Sequence, residues 1–358
     1  MSPWLLLLVP LIAVVVLEIA ARIYYRVKYL VPFHSRVIGE YPFSEFLEEV
    51  DPPLFFRFKK NYSSPLVNLN RFGCRGPQPA PDGEKKRLLV IGESNLFGVK
   101  LRKEKHLWSI VLQDLLDQRM PGRWEVINAG NPGYNSDQHW ELWRKELKKV
   151  KPDILVVAMG GNDTAMVTTK GPKWRPGTAW PLKFVLALER KSRWWQKILN
   201  HFCLYFLWRR MSMGPPANNF PLAQGDIPLA ACHENIKKNF QALAREARAM
   251  GAKVACTVYA PAIEPGMDQK AQRRAAAIQA NWHEVLETRT VFDLKLVRYI
   301  GEVVSPELDL PLIDFYSVFR RHPRRFEMYF DLVHWNQKGM LVVAQTFLQD
   351  IDKLGWWD

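Results

Sequence analysis

The sequence has few cysteines, and none of them are close together. The four share no C-x-x-C spacing: Cys74, Cys203, Cys232 and Cys256. We therefore expect no metal site built from them, and the sequence alone assigns no disulfide between them. Zinc-knuckle spacings, RNA-binding aromatic motifs and internal repeats are also missing. The sequence therefore predicts no nucleic-acid partner, and it gives no indication of oligomeric state.

Acidic residues are scarce relative to basic ones. The 358 residues include 50 Lys or Arg and 36 Asp or Glu, which gives a formal net charge of +14. This balance favours an anionic partner such as a membrane surface or an acidic polymer. The 14 tryptophans point the same way, because Trp beside basic residues is typical of the membrane–water interface. With 48% hydrophobic residues, the chain can bury a sizeable core in one large or two medium domains.

The amino terminus lacks charge. Residues 1–17 have no charged side chain, and the apolar stretch that they begin is about 20 residues long, enough for the hydrocarbon core of a bilayer. We therefore predict a transmembrane anchor over residues 1–28, with Glu18 and Arg22 paired one turn apart. A cleavable signal peptide is the alternative, but it would need a basic segment first. By the positive-inside rule, the basic residues after the span would leave the rest of the chain in the cytoplasm.

Residues 29–86 differ in composition from the rest of the chain. They are rich in proline, which breaks long helices, and in aromatic residues, which we expect to pack this extension onto the main domain. Within the extension, Phe72–Pro77 is predicted to form a turn, with glycines where φ is positive.

From Arg87 onward, apolar runs of strand length alternate with helical patterns. The run Leu88–Gly92 is nearly unbroken, as in a strand buried on both faces of a sheet. Further strands are predicted at residues 124–128, 153–159, 253–259 and 311–314, and helices at residues 106–118, 137–150, 230–250, 269–286 and 339–354. This alternation implies βαβ units, and hence an α/β fold with a mainly parallel central sheet.

Small or polar clusters follow these strands at 94–95, 128–136 and 160–163, and another precedes the last helix at 331–336. In a parallel sheet such loops emerge at one edge, where ligands bind. Each cluster has a simpler explanation when taken alone: Ser94 as a helix cap, residues 160–163 as a turn, His334 as an ordinary histidine and Asp331 as a helix start. Their joint occurrence in this order favours a catalytic site.

The chemistry of these residues is that of nucleophilic catalysis. Ser94 can attack only if a base takes its proton, and His334 is the candidate base. Asp331 can bond the other ring nitrogen of His334 and stabilise the imidazolium. The N–H groups of Ser94 and Gly133 and the amide of Asn162 are candidate donors to an oxyanion.

These segments resemble a known family. Gly92-Glu-Ser94, Gly133, Gly160-x-Asn162-Asp163 and Asp331-x-x-His334 look like the four signature blocks of the SGNH (GDSL-type) hydrolases, in order over residues 87–354. The resemblance implies a three-layer α/β/α sandwich of flavodoxin-like type. It also implies ester hydrolysis or acyl transfer through an acyl-serine, without a metal or organic cofactor.

Carried onto this chain, the resemblance makes Ser94 the nucleophile, His334 the base and Asp331 its orienter, with Ser94, Gly133 and Asn162 forming the oxyanion hole. The amino-terminal anchor with Gly73-Cys-Arg-Gly76 is similar to bacterial membrane-anchored members, which generally face away from the cytoplasm. We therefore expect a periplasmic catalytic domain, with a cytoplasmic-facing one as the alternative. The chain departs from the family where Glu93 replaces the usual Asp, one methylene shorter, and where Asn95 replaces a frequent Leu.

An insertion at residues 165–228 interrupts the hydrolase domain. Its part from Lys173 to Arg210 holds nine Lys or Arg and one acid, and it contains five tryptophans: Trp174, Trp180, Trp194, Trp195 and Trp208. Two interpretations stay open. The segment is either a helical hairpin packed on the domain, or an interfacial segment that lies on anionic lipid beside the anchor.

The leading prediction is a membrane-anchored serine esterase or O-acyltransferase that acts on acylated, for example acetylated, glycans or lipid-linked saccharides. Two alternatives remain. One is a catalytically silent protein of the same fold that binds a glycan or a partner. The other is a lipase or thioesterase for longer acyl chains, with the Trp-rich insertion forming an acyl groove.

Overall fold

The computed structural model describes residues 3–29, 43–101, 103–182, 199, 202–205, 223–262, 267, 286–330 and 333–357. Two short strands pair antiparallel: β1 (Leu47–Glu49) and β2 (Phe56–Phe58). Five strands form the central sheet: β3 (Lys86–Gly92), β4 (Trp124–Gly130), β5 (Ile154–Val157), β6 (Lys253–Val258) and β7 (Leu312–Asp314). All neighbours in this sheet are parallel, in the order β4-β3-β5-β6-β7, which confirms the predicted mainly parallel α/β fold.

The described helices alternate with the strands. They are α1 (Pro3–Tyr29), α2 (Phe43–Phe46), α3 (Ser94–Phe97), α4 (Trp108–Arg119), α5 (Ser136–Lys145), α6 (Gly161–Lys170), α7 (Leu229–Ala249), α8 (Leu286–Tyr299), α9 (Ser305–Glu307), α10 (Phe315–Arg321) and α11 (Gln337–Lys353). Short 3-10 helices span Glu104–His106, Leu147–Val150, Gly171–Lys173 and Arg325–Met328, and a π-helical turn spans Ile300–Val304.

Helices cover both faces of the sheet. Along β3, Leu89 and Ile91 join a core that includes side chains of α5, α6, α7 and α8. Leu88 and Val90 point to the other face and join a second core with α4, α10 and α11. All four β3 side chains are fully buried. This is why the sequence shows an unbroken apolar run there instead of an alternating one.

The strand order places a switch point beside β3. The chain runs outward from β3 to β4 and then returns to β5 on the other side of β3. In open α/β sheets of this order, ligands bind at the carboxyl ends of the strands beside such a point. Gly92 of β3 pairs with Gly130 of β4, and Ile91 of β3 pairs with Val157 of β5. The loops after these three strands therefore begin side by side at the carboxyl edge of the sheet.

The extension shares the main core. Phe46, Phe58 and Val67 belong to the same buried cluster as Ile91 of the sheet. The extension therefore packs onto the domain as predicted. The boundary of the extension at residue 86 stays a prediction. The predicted turn also forms, with φ of 76° at Gly73 and 130° at Gly76.

The amino-terminal helix differs from its prediction. Residues 3–29 are helical, and Glu18 and Arg22 form the expected ion pair at 2.7 Å. In the part of the chain that the structure describes, however, no helix is long and apolar enough to cross a membrane. The predicted transmembrane span is therefore not supported.

Most predicted elements occur within a few residues of their expected bounds. The predicted helix 137–150 is shorter, because Glu146 leaves the helical conformation at φ −129° and a 3-10 turn comes next. The predicted helix 269–286 lies outside the described residues, apart from Leu286, which begins α8. The four cysteines are free thiols.

Much of the insertion also lies outside the described residues, and so do Trp194, Trp195 and Trp208. Trp174 and Trp180 are buried against the domain, so these two tryptophans do not face a lipid surface. The N–H groups of Cys203 and Leu204 donate to the carboxylate of Glu18 at 3.0 and 2.9 Å, so the insertion contacts α1.

Candidate active site

Ser94 lies at the carboxyl end of β3, on a sharp strand-to-helix turn. The strand ends at Gly92, Glu93 is extended, and Ser94 begins the four-residue helix α3. At the start of a helix the first N–H groups have no acceptor within the helix, so the N–H of Ser94 is oriented outward from α3. The turn rests directly on β4. A Cβ atom at Gly130 would lie 2.3 Å from the backbone nitrogen of Phe97, so only glycine fits there.

Two side chains hold α3 from neighbouring elements. The amide nitrogen of Asn128 donates to the carbonyl oxygen of Leu96 at 2.8 Å, and the indole nitrogen of Trp108 donates to the same oxygen at 2.7 Å. Asn128, Trp108 and Leu96 are all buried. Hydrogen bonds in such surroundings are costly to lose, so the backbone after Ser94 is fixed in place.

His334 reaches Ser94 from the other end of the chain. Its Nε2 lies 2.9 Å from Oγ of Ser94, although the two residues are 240 positions apart. Tyr329 and Trp335 form an antiparallel bridge at the base of this loop. The N–H of Phe330 also donates to the carbonyl oxygen of His334 at 2.8 Å. The short distance between Nε2 and Oγ lets the imidazole take the hydroxyl proton.

Asp331, the predicted orienter of His334, lies outside the described residues, and its role stays a prediction.

The predicted oxyanion donors lie in the two loops on either side of β3. Gly133 sits in the turn after β4 with φ of 82°, and Asn162 lies at the start of α6, after β5. The side-chain amide of Asn162 donates one hydrogen to the carbonyl oxygen of Tyr134 at 2.9 Å. Because a primary amide carries two hydrogens, the second is available to a ligand. This bond also ties the Asn162 loop to the Gly133 turn.

Glu93, which replaces the usual Asp, connects the nucleophile turn to the Asn162 loop. Its Oε1 accepts from the N–H of Gly160 at 2.9 Å and from that of Asn162 at 3.1 Å. The pKa of Glu93 is raised to about 8. Burial is the main cause and the nearby Asp163 carboxylate adds to it, whereas the N–H groups act in the opposite direction. The sequence marked Glu93 as a departure, but it did not indicate these partners.

Beside Glu93 lies a small pocket with largely apolar walls. It is lined by Met159 and Val258, together with Leu296, Val297 and Ile300 from the region of α8 and the π-helical turn. Such walls cannot solvate a carboxylate, which accounts for the raised pKa of Glu93.

Asp163 serves the scaffold. Its carboxylate accepts from the N–H of Ser136 at 2.8 Å and from the Ser136 hydroxyl at 2.7 Å, which joins α6 to α5. Burial raises the pKa of Asp163 to about 7. Ser136 had no predicted role; the only local signal is the capping box that Asn135 and Gln138 form at the same helix start.

Arg75 is a second residue that sequence reasoning missed. It belongs to the turn of the extension, is 1% exposed, and donates through Nη1 to the carbonyl oxygens of Phe97 and Gly98, both at 2.9 Å. These carbonyls end α3, where the helix dipole favours a cation. The extension therefore supports the helix that begins with Ser94.

Within the described ranges, no group of three or more His, Cys, Asp or Glu side chains is placed to hold a metal ion.

The chain is similar to several solved structures at low sequence identity. The chain is similar to the lipase/acylhydrolase from Enterococcus faecalis, with 16% identity over 74% of this chain and 95% of that one, at a TM-score of 0.44. It is similar to TesA, with 16% identity over 75% and 99% and a TM-score of 0.44. It is also similar to the acetyl xylan esterase AlAXEase, with 14% identity over 74% and 99% and a TM-score of 0.43.

A search of curated protein sequences found no match. The model of the GDSL-like lipase/acylhydrolase family matches residues 90–342, which is more than half of the chain. The predicted family is thereby confirmed, and the chain belongs to the GDSL-like lipase/acylhydrolase family.

Proposed function

We propose that this GDSL-type hydrolase is a membrane-associated serine esterase or O-acyltransferase that works through an acyl group on Ser94. The observation that carries the proposal is the 2.9 Å contact between Nε2 of His334 and Oγ of Ser94. A serine hydroxyl becomes a competent nucleophile when a base within this distance accepts its proton.

The reaction divides into two half-reactions. Oγ of Ser94 attacks the ester carbonyl, and its proton passes to Nε2 of His334. The carbonyl oxygen becomes an oxyanion, which the N–H groups of Ser94 and Gly133 and the amide of Asn162 stabilise. The imidazolium then protonates the leaving alcohol, and the acyl group stays on Ser94. Removing one oxyanion donor from such a site typically costs roughly 3–4 kcal/mol of transition-state stabilisation.

The second half-reaction decides between hydrolysis and transfer. Water releases the acyl group as a carboxylic acid, whereas a sugar hydroxyl takes it as a new ester, with His334 as the base in either case. The proposed substrate is an acylated glycan or lipid-linked saccharide, and the proposal rests on the resemblance of the sequence to bacterial members of the family. That the catalytic domain faces away from the cytoplasm stays a prediction.

The proposed association with lipid rests on α1. The helix exposes a series of large apolar side chains: Leu8, Val9, Leu11, Ile12, Val14, Val15, Val16, Leu17, Ile19, Ile23, Tyr24 and Val27. Exposed apolar surfaces of this size mark sites of contact with lipid or with another protein. Sedimentation of the full chain with phosphatidylcholine and phosphatidylglycerol vesicles tests this proposal, and a chain that stays in the supernatant with both contradicts it.

The catalytic proposal is tested with the purified full chain. We expect Ser94→Ala and His334→Ala to abolish turnover of an activated acetyl ester, with His322→Ala as a matched histidine control that keeps it. A fluorophosphonate probe is expected to label the wild type at Ser94. Unchanged turnover in the Ser94 and His334 variants would refute the mechanism, and an unlabelled, inactive wild type would favour the silent binding protein.

The choice of acyl group is tested with the same chain. A series of esters from acetyl to long-chain acyl separates the acetyl-ester proposal from the lipase or thioesterase alternative. Added glycan acceptors then separate hydrolysis from transfer, because only transfer yields an acylated glycan.

A further inference from the structure

The carboxylate of Glu93 takes the place of a helix cap for α6. Position Gly160, which precedes the helix, has no side chain to cap it. Oε1 of Glu93 instead accepts from the N–H of Gly160 at 2.9 Å, and the N–H of Asn162 donates to Oε1 at 3.1 Å and to Oε2 at 3.2 Å. The cap therefore comes from the residue next to the nucleophile, 67 positions earlier in the chain than Gly160.

The fit between this carboxylate and the loop is close. A Cβ atom built on Gly161 would lie 2.7 Å from Oε2 of Glu93. Such a distance is too short for a real contact, so a side chain at residue 161 would displace the carboxylate. The absence of a side chain at Gly161 is therefore what lets the longer Glu93 reach the loop.

We propose that Glu93 is a positioning residue that holds the Asn162 loop, and with it an oxyanion donor, in register with the nucleophile Ser94. Glu93 is joined to Ser94 by one peptide bond, so anything that fixes its carboxylate on the loop also fixes the distance between nucleophile and donor. The catalytic part of this inference rests on the proposed acyl-serine function. The holding of the loop can be measured without turnover.

The contact is strongest with the ionised form of Glu93. Both carboxylate oxygens accept from N–H groups of the loop, and a charged carboxylate accepts such bonds more strongly than a neutral carboxyl does. Among the described residues, three titratable groups lie around Glu93: Asp163 on α6, Tyr259 after β6, which lines the same pocket, and His334, which contacts the adjacent Ser94. Because burial raises the pKa of Glu93 to about 8, the contact weakens as the pH falls below that value.

The test replaces the charge while keeping the shape. Glu93→Gln is isosteric, but it removes the charge, and its NH2 group replaces one of the two acceptor oxygens that face the loop. We expect kcat for an acetyl ester to fall about 100-fold while KM stays within about twofold, since an oxyanion donor acts in the transition state. Glu93→Asp keeps the charge and is expected to recover part of this loss. The wild type is expected to gain activity up to about pH 8. Glu93→Gln is expected to keep the part of the rise that comes from deprotonation of the base His334 and to lack the part that comes from Glu93.

Glu125 provides a matched control. It is a buried carboxylate that accepts from the N–H of Ala80 at 2.8 Å, but it lies at the amino end of β4, away from the site. We expect Glu125→Gln to lower the temperature of unfolding and leave kcat near that of the wild type. A merely structural role for Glu93 would give its variants the same pattern.

A second pair of variants tests the contact itself. Gly161→Ala is expected to lower kcat in the wild-type background, because its methyl group displaces the Glu93 carboxylate. In a Glu93→Ala background that carboxylate is gone, so Gly161→Ala should have little further effect. Equal losses in both backgrounds would overturn the proposal.

Amide hydrogen exchange separates this inference from the proposed function. The N–H groups of Gly160 and Asn162 are expected to exchange faster in Glu93→Gln than in the wild type, whether or not the chain hydrolyses an ester. A wild type without turnover or probe labelling overturns the proposed function. Unchanged exchange, or unchanged kcat in an active Glu93→Gln, overturns the role of Glu93.

Discussion

Replacing Arg75 with methionine tests whether the extension supports the catalytic turn. Arg75→Met keeps the apolar stem and removes the guanidinium. The lost interactions are Nη1 bonds to Phe97 and Gly98, an Nη2 bond to the carbonyl oxygen of Leu66 at 3.0 Å, and the placement of the cation over the Phe97 ring at 4.8 Å. The three carbonyl oxygens lose a buried donor together.

The size of the effect can be worked out from these contacts. Hydrogen bonds to a charged group contribute about 1.5 kcal/mol or more each, and a desolvated cation over an aromatic ring adds about 2 kcal/mol. Removing the cation also recovers part of its cost of burial. We therefore expect Arg75→Met to lower the free energy of unfolding by about 3 kcal/mol. Arg75→Lys is expected to lose about half of that, because one ammonium cannot reach all three carbonyls.

Urea unfolding of the full chain measures this loss, and acetyl-ester turnover reports on the site. We expect kcat to fall by at least about tenfold in Arg75→Met, because α3 begins with Ser94 and ends at the carbonyls that Arg75 binds. Arg71 supplies the control. It is a more exposed arginine of the same extension, and it donates to the carbonyl oxygens of Pro79 and Ala80. Arg71→Met is expected to cost about 1 kcal/mol or less.

An Arg75→Met variant that unfolds within about 0.5 kcal/mol of the wild type would refute this reasoning. It would mean that α3 keeps its place through Asn128 and Trp108 alone, and that the buried guanidinium contributes no net stability. A variant that loses stability but keeps its kcat would show that Arg75 stabilises the fold without affecting the position of Ser94.

Two further changes probe the scaffold of the site. Gly130→Ala sets a methyl group 2.3 Å from the backbone of Phe97; we expect it to cost about 1–3 kcal/mol and to lower kcat, whereas Gly301→Ala, whose Cβ would have an ordinary 3.6 Å contact, should do neither. The pKa of Asp163 rises on folding from 3.8 to about 7, so its folded state keeps a proton that the unfolded chain releases, and stability should fall as the pH rises between these values. Asp163→Asn should reduce this change of the free energy of unfolding with pH, to which one group contributes at most about 1.4 kcal/mol per pH unit. Urea unfolding at pH 5 and pH 8 measures the change, and equal values in the wild type and in Asp163→Asn would contradict the assignment.

The parallel sheet could be predicted from the sequence because burial on both faces leaves a local signal. Leu88–Gly92 is apolar throughout since each side chain meets a helical layer, and the observed strand, Lys86–Gly92, extends it by two residues. The polar clusters at the strand ends could be located for a related reason, because parallel strands end at one edge. The approach of His334 to Ser94 agrees with this topology and with the family motif.

The contacts that hold the site could not be predicted in this way. Arg75 and Phe97 are 22 residues apart, and Glu93 and Asn162 are 69 apart. Periodicity states which face of an element is buried, but it does not say which polar side chain meets which backbone group. The same holds for Glu146, where α5 ends: it binds Lys60 of the extension at 2.8 Å, a contact that periodicity does not indicate.

The extension and the sheet jointly build the catalytic turn. Family similarity begins at residue 90, yet Arg75, which binds the end of α3, precedes it. Phe46 and Phe58 of the extension stack on the Phe97 ring, at 6.1 and 4.8 Å between ring centroids. One side of the helix that begins with Ser94 is therefore covered by residues outside the family match. We therefore expect nucleophile placement to depend on this cover. A fragment that begins at β3 is predicted to lose acetyl-ester turnover, and a fragment that keeps the turnover of the full chain would contradict this prediction.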